Sequence, residues 1–226
     1  FAYQYLNAMS LRLLNSYDAE TFSTFIKQRF GFFNSKEKDE PFFRIEPKMD
    51  GDVLSDDVYY FESVCPDASY VIVTLEALFR SFGLKMSQKI HPMMGVKFKG
   101  DTISCFESPS ESSTLFSLVY FEFERVENDE VFKILRLKIA ECLKAVLAVK
   151  NDQKMMLEKL DFVKEVIVSN EKESPTITQE WCNLIDWLRN SNFSLFGYIA
   201  IDHDETDPVL SLTANEKEGL GILHKT

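Results

Sequence analysis

His91-Pro92 is the most specific local feature of the sequence. An imidazole titrates near neutral pH and can face a ligand. A Pro directly after it forces extended backbone on the His, so the pair should begin or interrupt a strand near a sheet edge. Asp202-His203-Asp204-Glu205 crowds three acids around another imidazole, but neighbouring residues at a strand end read as a solvated turn rather than a coordination sphere. Asp50 to Phe61 starts like a calcium loop, yet its twelfth position is Phe61 where a bidentate Glu is required, and its Gly is misplaced. Gly219-Leu220-Gly221 opens like a dinucleotide fingerprint but lacks the third Gly, the following helix and the ribose-binding acid. No Gly-x-Ser-x-Gly elbow offers a nucleophilic serine, and the sequon Asn192-Phe193-Ser194 has no secretory context. The expectation is therefore a chain with no catalytic, cofactor-binding or metal-binding residues of its own.

Composition narrows the setting. Hydrophobic residues make up 45% and charged residues 27%, as in folded globular proteins, so a real core is expected from 226 residues. The net charge of -11 and pI near 4.8 repel phosphate backbones and anionic headgroups, which argues against nucleic acid and membrane surfaces as partners. No apolar run approaches the roughly 18 residues needed to cross a bilayer, and no signal segment is visible, so a cytoplasmic protein is expected. Cys65, Cys105, Cys142 and Cys182 are too far apart for a zinc knuckle or redox dithiol and read as reduced, mostly buried thiols. The opening at Phe1 and the stop after Gly-Leu-Gly-Ile-Leu suggest a piece of a longer protein.

The elements that would position these residues follow from periodicity. Residues 1 to 33 read as two helical pieces, the second capped by Asp18 and ended by Gly31. Phe42 to Ile45 and Val58 to Val64 read as strands, and Val71, Leu75, Leu78, Phe79 and Phe82 form a helical stripe closed by Gly83. Val96 to Lys99 and Thr102 to Cys105 form a hairpin around Gly100-Asp101. Leu115 to Phe123, apolar on both faces, is expected to be a central strand. Two helices are expected next, on the stripes Val131 to Val149 and Met156 to Ile167. After a polar break at Ser169 to Ser174 comes another helix, with a capping box at Thr176 and Gln179, and then a strand from Phe193 to Ile201. The core is expected to include Tyr60, Val71, Leu75, Leu78, Phe79, Val119, Phe121, Leu135, Ile139 and Val146. This order belongs to the α+β class, and residues 42–150 suit a βαββαβ sandwich, an antiparallel sheet with helices on one face, flanked by N- and C-terminal helices.

Three stretches carry a resemblance. Phe82-Gly83-Leu84 followed by Ile90-His91-Pro92 and Val96 is similar to a helix-to-strand segment of the large bacterial NAD-dependent glutamate dehydrogenases. Leu184-Ile185-Asp186-Trp187-Leu188 with Asn192-Phe193-Ser194-Leu195-Phe196-Gly197-Tyr198 resembles that family's helix ending in Trp-Leu and its following strand. Gly219 to Leu223 resembles a glycine-leucine run the family carries further on. Phe116 to Glu124 looks like its long strand, and the matches stand in family order over most of the chain.

The resemblance implies an N-terminal, ACT-like regulatory region that precedes the catalytic domain. Its parts would be a helical segment at 1–41, an ACT-like domain at 42–150, a helical connector at 151–190 and the start of a following module at 191–226. The parent enzyme would be an oxidoreductase of amino-acid metabolism that deaminates L-glutamate oxidatively to 2-oxoglutarate with NAD, the fragment itself carrying no cofactor. Implied partners are the catalytic domain of the same chain, further copies in a homo-oligomer, and an amino-acid effector. The alternative is an amino-acid-sensing ACT-type module, with Asp67, Ser69 and His91 as its effector-loop residues. Here the sequence departs from the pattern: Cys65-Pro66-Asp67-Ala68-Ser69-Tyr70 has no Gly to let backbone N–H groups approach a carboxylate. The aromatics of 1–43 (Phe1, Tyr3, Tyr5, Phe32, Phe33, Phe42, Phe43), with Phe193, Phe196 and Tyr198, are expected to form an exposed patch for self-association.

Overall fold

The computed structural model describes residues 1–35, 42–50, 53–100, 102–110, 112–126, 128–169, 174–203 and 212–224. The chain divides into two compact units, Phe1–Lys144 and Ala145–Thr226. The first contains α1 (Ala2–Ala8), α2 (Leu11–Leu14), α3 (Ala19–Asn34), β1 (Phe42–Asp50), β2 (Val53–Pro66), α4 (Val71–Ser81), β3 (Met86–Ile90), β4 (Met93–Lys99), β5 (Thr102–Glu107) and β6 (Thr114–Glu124), then the first part of α5 (Asp129–Ser169). The expected turn residues Gly51, Asp52 and Asp101 lie outside the described residues.

Local signals explain most element ends. The Asp18 carboxylate accepts the Thr21 amide at 2.8 Å and starts α3. The helix then runs through Gly31 rather than ending there. Burial of Phe32 and Phe33 outweighs the roughly 1 kcal/mol that a helical Gly costs. Gly83, at φ +73, follows α4 in the left-handed conformation its position suggested.

The sheet runs β1-β2-β6-β4-β5, with β3 also on β6, and every pairing is antiparallel. β3 and β4 lie end to end along β6: Ile90 pairs with Tyr120 and Met93 with Ser117. His91-Pro92 is the interruption between them, and the Pro92 carbonyl still accepts the Leu118 amide at 3.1 Å. Pro47 sits on β1, at the sheet edge, where a missing donor is tolerated. Residues 116–123 of β6 are all buried, as a strand apolar on both faces must be.

One face of the sheet carries Phe61, Phe121 and Phe123, all within 5.4 Å of the Phe79 ring of α4, with Phe132 of α5 against Tyr59. The other face carries Val64, Ile90, Met94, Phe116, Leu118 and Tyr120, packed under Tyr5, Phe25 and Phe33 of the N-terminal helices. The expectation of helices on one face is thus corrected. It holds for α4 and α5, while the aromatic-rich N-terminal segment needs an apolar partner and finds it on the opposite face. The expected aromatic patch is corrected by the same packing. Tyr5, Phe32 and Phe33 are core, whereas Tyr3 and Phe42 are exposed. Of the expected core, Leu78 and Val146 are only half-buried, and Leu143 and Leu147 point inward on α5.

The second unit holds the rest of α5, α6 (Pro175–Trp187), a π-helical turn (Leu188–Asn192), and an antiparallel pair of β7 (Gly197–His203) and β8 (Leu212–Gly221). One 41-residue helix replaces the two expected, because Lys150-Asn151-Asp152-Gln153 contains neither Gly nor Pro to break it. α6 begins at Ser174, whose hydroxyl accepts the Ile177 amide, with Pro175 in the first turn; the expected box at Thr176 lies inside the helix. Lys164 pairs with Asp186 and Arg189 forks onto Asp161, joining α5 to the α6 region. Phe193 and Phe196 are exposed, as are Trp181 and Trp187. None of the four cysteines is in a disulfide; Cys65 and Cys182 are buried and Cys105 is exposed.

Candidate functional site

The expected effector loop joins β2 to α4, and the structure brings two of its three residues together through a fourth. Ser117, on β6, donates its hydroxyl proton to Asp67 Oδ1 at 2.9 Å and lies 3.0 Å from His91 Nε2. Asp67 is held further by its amide on the Leu115 carbonyl at 2.8 Å. Ser69 stays exposed at the loop tip, outside this chain of bonds. Ser117 was missed in the sequence, although a small polar residue at an inward position of an otherwise apolar strand was the available signal. Its proton points at the carboxylate and not at the imidazole, so the order is not that of an activated nucleophile. Burial holds His91 below the usual imidazole range, against the pull of Asp67. In this loop without Gly, Tyr70 takes a left-handed backbone, at φ +71, and is exposed.

A second cluster lies on the α3 face and was not foreseen. β2 and β6 each carry Tyr-Phe-Glu, and the two triplets pair antiparallel: Tyr60 with Glu122, Phe61 with Phe121, Glu62 with Tyr120. An acid repeated at a buried alternate position of two apolar strands was the legible clue. The Tyr60 and Tyr120 rings stack at 5.7 Å, and the Arg29 guanidinium from α3 lies 4.7 and 4.9 Å from their centroids. Arg29 Nε is 3.1 Å from Glu62 Oε2, an ion pair without hydrogen-bond alignment, and both side chains are almost wholly buried. Arg44 of β1 binds the other Glu62 oxygen. Glu122 takes Lys48 at 2.9 Å and the Tyr120 hydroxyl at 2.8 Å; the Tyr60 hydroxyl donates to Glu46 at 2.5 Å.

The electrostatics of this cluster are those of desolvated partners. Burial raises the Glu62 carboxyl above the usual range although Arg29 and Arg44 pull it down. Burial is the largest single influence on Arg29 and works against its charge, but Glu62 together with Tyr120, Tyr5 and Tyr60 outweighs it and leaves that pKa above its ordinary value. Beside the cluster opens a cleft of about 290 Å³ lined by Tyr17, Thr24, Gln28, Arg29, Lys48 and Tyr120 among others. Burial, helped by Glu122, pushes Tyr17 up to about 12. Since Arg29 and Lys48 are already paired, the arrangement acts as a clamp between α3 and the sheet.

The remaining motifs resolve structurally. Gly221 ends β8 at φ +61; a Cβ there would lie 2.2 Å from the Phe196 carbonyl, and its amide donates to the buried Asp152 carboxylate at 2.8 Å. That Gly serves a turn, not a phosphate. Gly221→Ala is therefore expected to cost at least about 2 kcal/mol, from the left-handed backbone and the clash together, read as a lowered midpoint in thermal or urea unfolding. An unchanged midpoint would contradict the packing described. Asn192 caps its own turn by donating to the Trp187 carbonyl at 3.0 Å. Asp202 and His203 end β7, and Asp204 and Glu205 lie outside the described residues. Among the described residues no group of three or more His, Cys, Asp or Glu could hold a metal ion, and no helix is long and apolar enough to cross a membrane. No protein-family model and no curated protein matches this chain.

Proposed function

We propose that this chain is the N-terminal regulatory and structural part of a large NAD-dependent glutamate dehydrogenase, inert in catalysis by itself. The carrying observation is the run Phe82 to Val96, in which Gly83 ends α4 and His91-Pro92 joins two strands in line on β6. Support for an ACT-like unit comes from the order β2, α4, β3–β4, β6, α5, with β6 between β2 and β3–β4 and both helices on one face. The edge beside β2, where a final strand would fall, is held by β1 from the N-terminal side. On this reading NAD binding and glutamate deamination belong to a catalytic domain of the same chain in a cytoplasmic homo-oligomer, and exposed Trp181, Trp187, Phe193 and Phe196 are surface available to such neighbours.

Amino-acid sensing at the β2–α4 loop has less support. One Asp67 oxygen is engaged by Ser117, and Tyr70 rather than Gly holds the left-handed position. The test is to express the uninterrupted reading frame beside the 226-residue chain. The longer protein should oxidise glutamate with NAD, while the chain alone should show neither turnover nor saturable NAD binding by calorimetry at micromolar concentrations. A reading frame with no dehydrogenase domain, or NAD binding by the chain alone, would overturn the proposal.

A further inference from the structure

Arg29, on the wall of the α3-face cleft, is matched in charge but not in hydrogen bonds. A guanidinium has five N–H groups and no acceptor, and this one is 3% exposed. Among the described residues it makes one aligned bond, from Nη1 to Gln28 Oε1 at 2.8 Å, while Nε faces Glu62 without a hydrogen-bond partner. Buried donors that the chain leaves open are places for an acceptor brought from outside. We propose that this cleft binds a small monocarboxylate with an apolar body, its carboxylate taken by Arg29, Lys48, Gln28 and Tyr17.

The donors converge from separate segments. Lys48 comes from β1 and spends one of its three ammonium protons on Glu122. Because Arg29 can only donate, the Gln28 amide must offer it Oε1, which leaves the NH2 group as a further donor at the cleft. Tyr17, ahead of α3, and Thr24, one turn before Gln28, add hydroxyls that no other described residue takes up. Tyr17 lies within electrostatic reach of both Glu122 and Arg29, and burial keeps its phenol protonated and so a donor.

The walls select the rest of the ligand. Rings of Tyr17, Phe25, Tyr60 and Tyr120 line the cleft, which suits an apolar body. Its volume of about 290 Å³ has room for roughly ten non-hydrogen atoms at the ~30 Å³ that a water occupies in the liquid. A carboxylate gains charge-assisted bonds that a neutral carbonyl does not. A second negative charge is disfavoured, because Glu20 lines the cleft, Glu122 holds Lys48 and Glu62 faces Arg29. A ligand seated here spans α3 and the sheet, so binding tightens the clamp. The site lies on the opposite sheet face from Ser117, since Phe116, Leu118 and Tyr120 alternate with it, and it does not depend on the identity of the parent enzyme.

The test titrates the whole 226-residue chain with butyrate and benzoate, and with benzamide and inorganic phosphate as controls, followed by nitrogen–proton NMR. At least one carboxylate should shift the Arg29 Nε–H and Gln28 side-chain amide signals saturably, with a midpoint below about 10 mM. The same carboxylate should raise the thermal unfolding midpoint, and benzamide and phosphate should do neither. Lys48→Met should weaken binding about tenfold, and Tyr17→Phe, which keeps the ring, several-fold. No saturable shift with either carboxylate, an equal response to benzamide or phosphate, or unchanged affinity in both variants would overturn the proposal. Should Lys48→Met fail to fold, Tyr17→Phe and the place of the shifts in the unaltered chain decide: saturable shifts centred away from Arg29 and Gln28 rule the site out.

Discussion

Arg29→Leu is expected to destabilise the first unit by about 3–5 kcal/mol, the cost of leaving a buried charge without its partner. Glu62 would keep Arg44 but lose the guanidinium that closes the site from α3, and the stacked Tyr60 and Tyr120 rings would lose their cation. The double change Arg29→Leu with Glu62→Leu should recover most of that loss, because two apolar side chains need no mutual compensation in an aromatic surround. A pH dependence accompanies the single variant. The folded-state pKa of Glu62 is already above its unfolded value, so its charge costs stability as pH rises above the ordinary carboxylate range. Removing Arg29 widens that window, and the variant should regain part of its deficit as pH falls toward 5. Chemical denaturation of parent, single and double variants checks this. A single variant as stable as the parent would show that the ion pair does not hold α3 to the sheet.

Phe79→Ala should have an effect of the same size on the opposite face, about 3–5 kcal/mol from lost transfer energy and the cavity left behind. Phe79 is fully buried at the meeting of Phe61, Phe121 and Phe123, with ring geometries from tilted to edge-on. Three large rings on fixed strands cannot collapse into the vacated space. Phe79→Leu should therefore cost distinctly less than Phe79→Ala, and Val73→Ala, on the exposed side of the same helix, should cost well under 1 kcal/mol. If Phe79→Ala melts within a degree or two of the parent, α4 does not close this face of the core.

The sequence by itself determined the local elements, because their causes are local. Asp18 caps α3, Gly83 ends α4, the stripe through Val71, Leu75 and Phe79 turns one face inward, and apolar residues on both sides of β6 require burial on both sides. Local chemistry also settled that Pro92 would interrupt a strand. It could not reveal which face the N-terminal aromatics would cover. That depends on how much apolar area the sheet leaves open once α4 and α5 are in place, a sum over distant segments. β8 escaped notice because Asn215-Glu216-Lys217-Glu218 is polar throughout and becomes a strand only by pairing with β7. The candidate sites were the least legible part. Asp67, Ser69 and His91 were grouped as one effector loop, but only the antiparallel placement of β6 sets Ser117 between Asp67 and His91. Nothing local to either strand pairs Glu62 and Glu122 with the cations they need. Once α3 covers that face, the same positions are buried and their charges must find Arg29, Arg44 and Lys48, because an unpaired charge in a dry interior costs several kcal/mol.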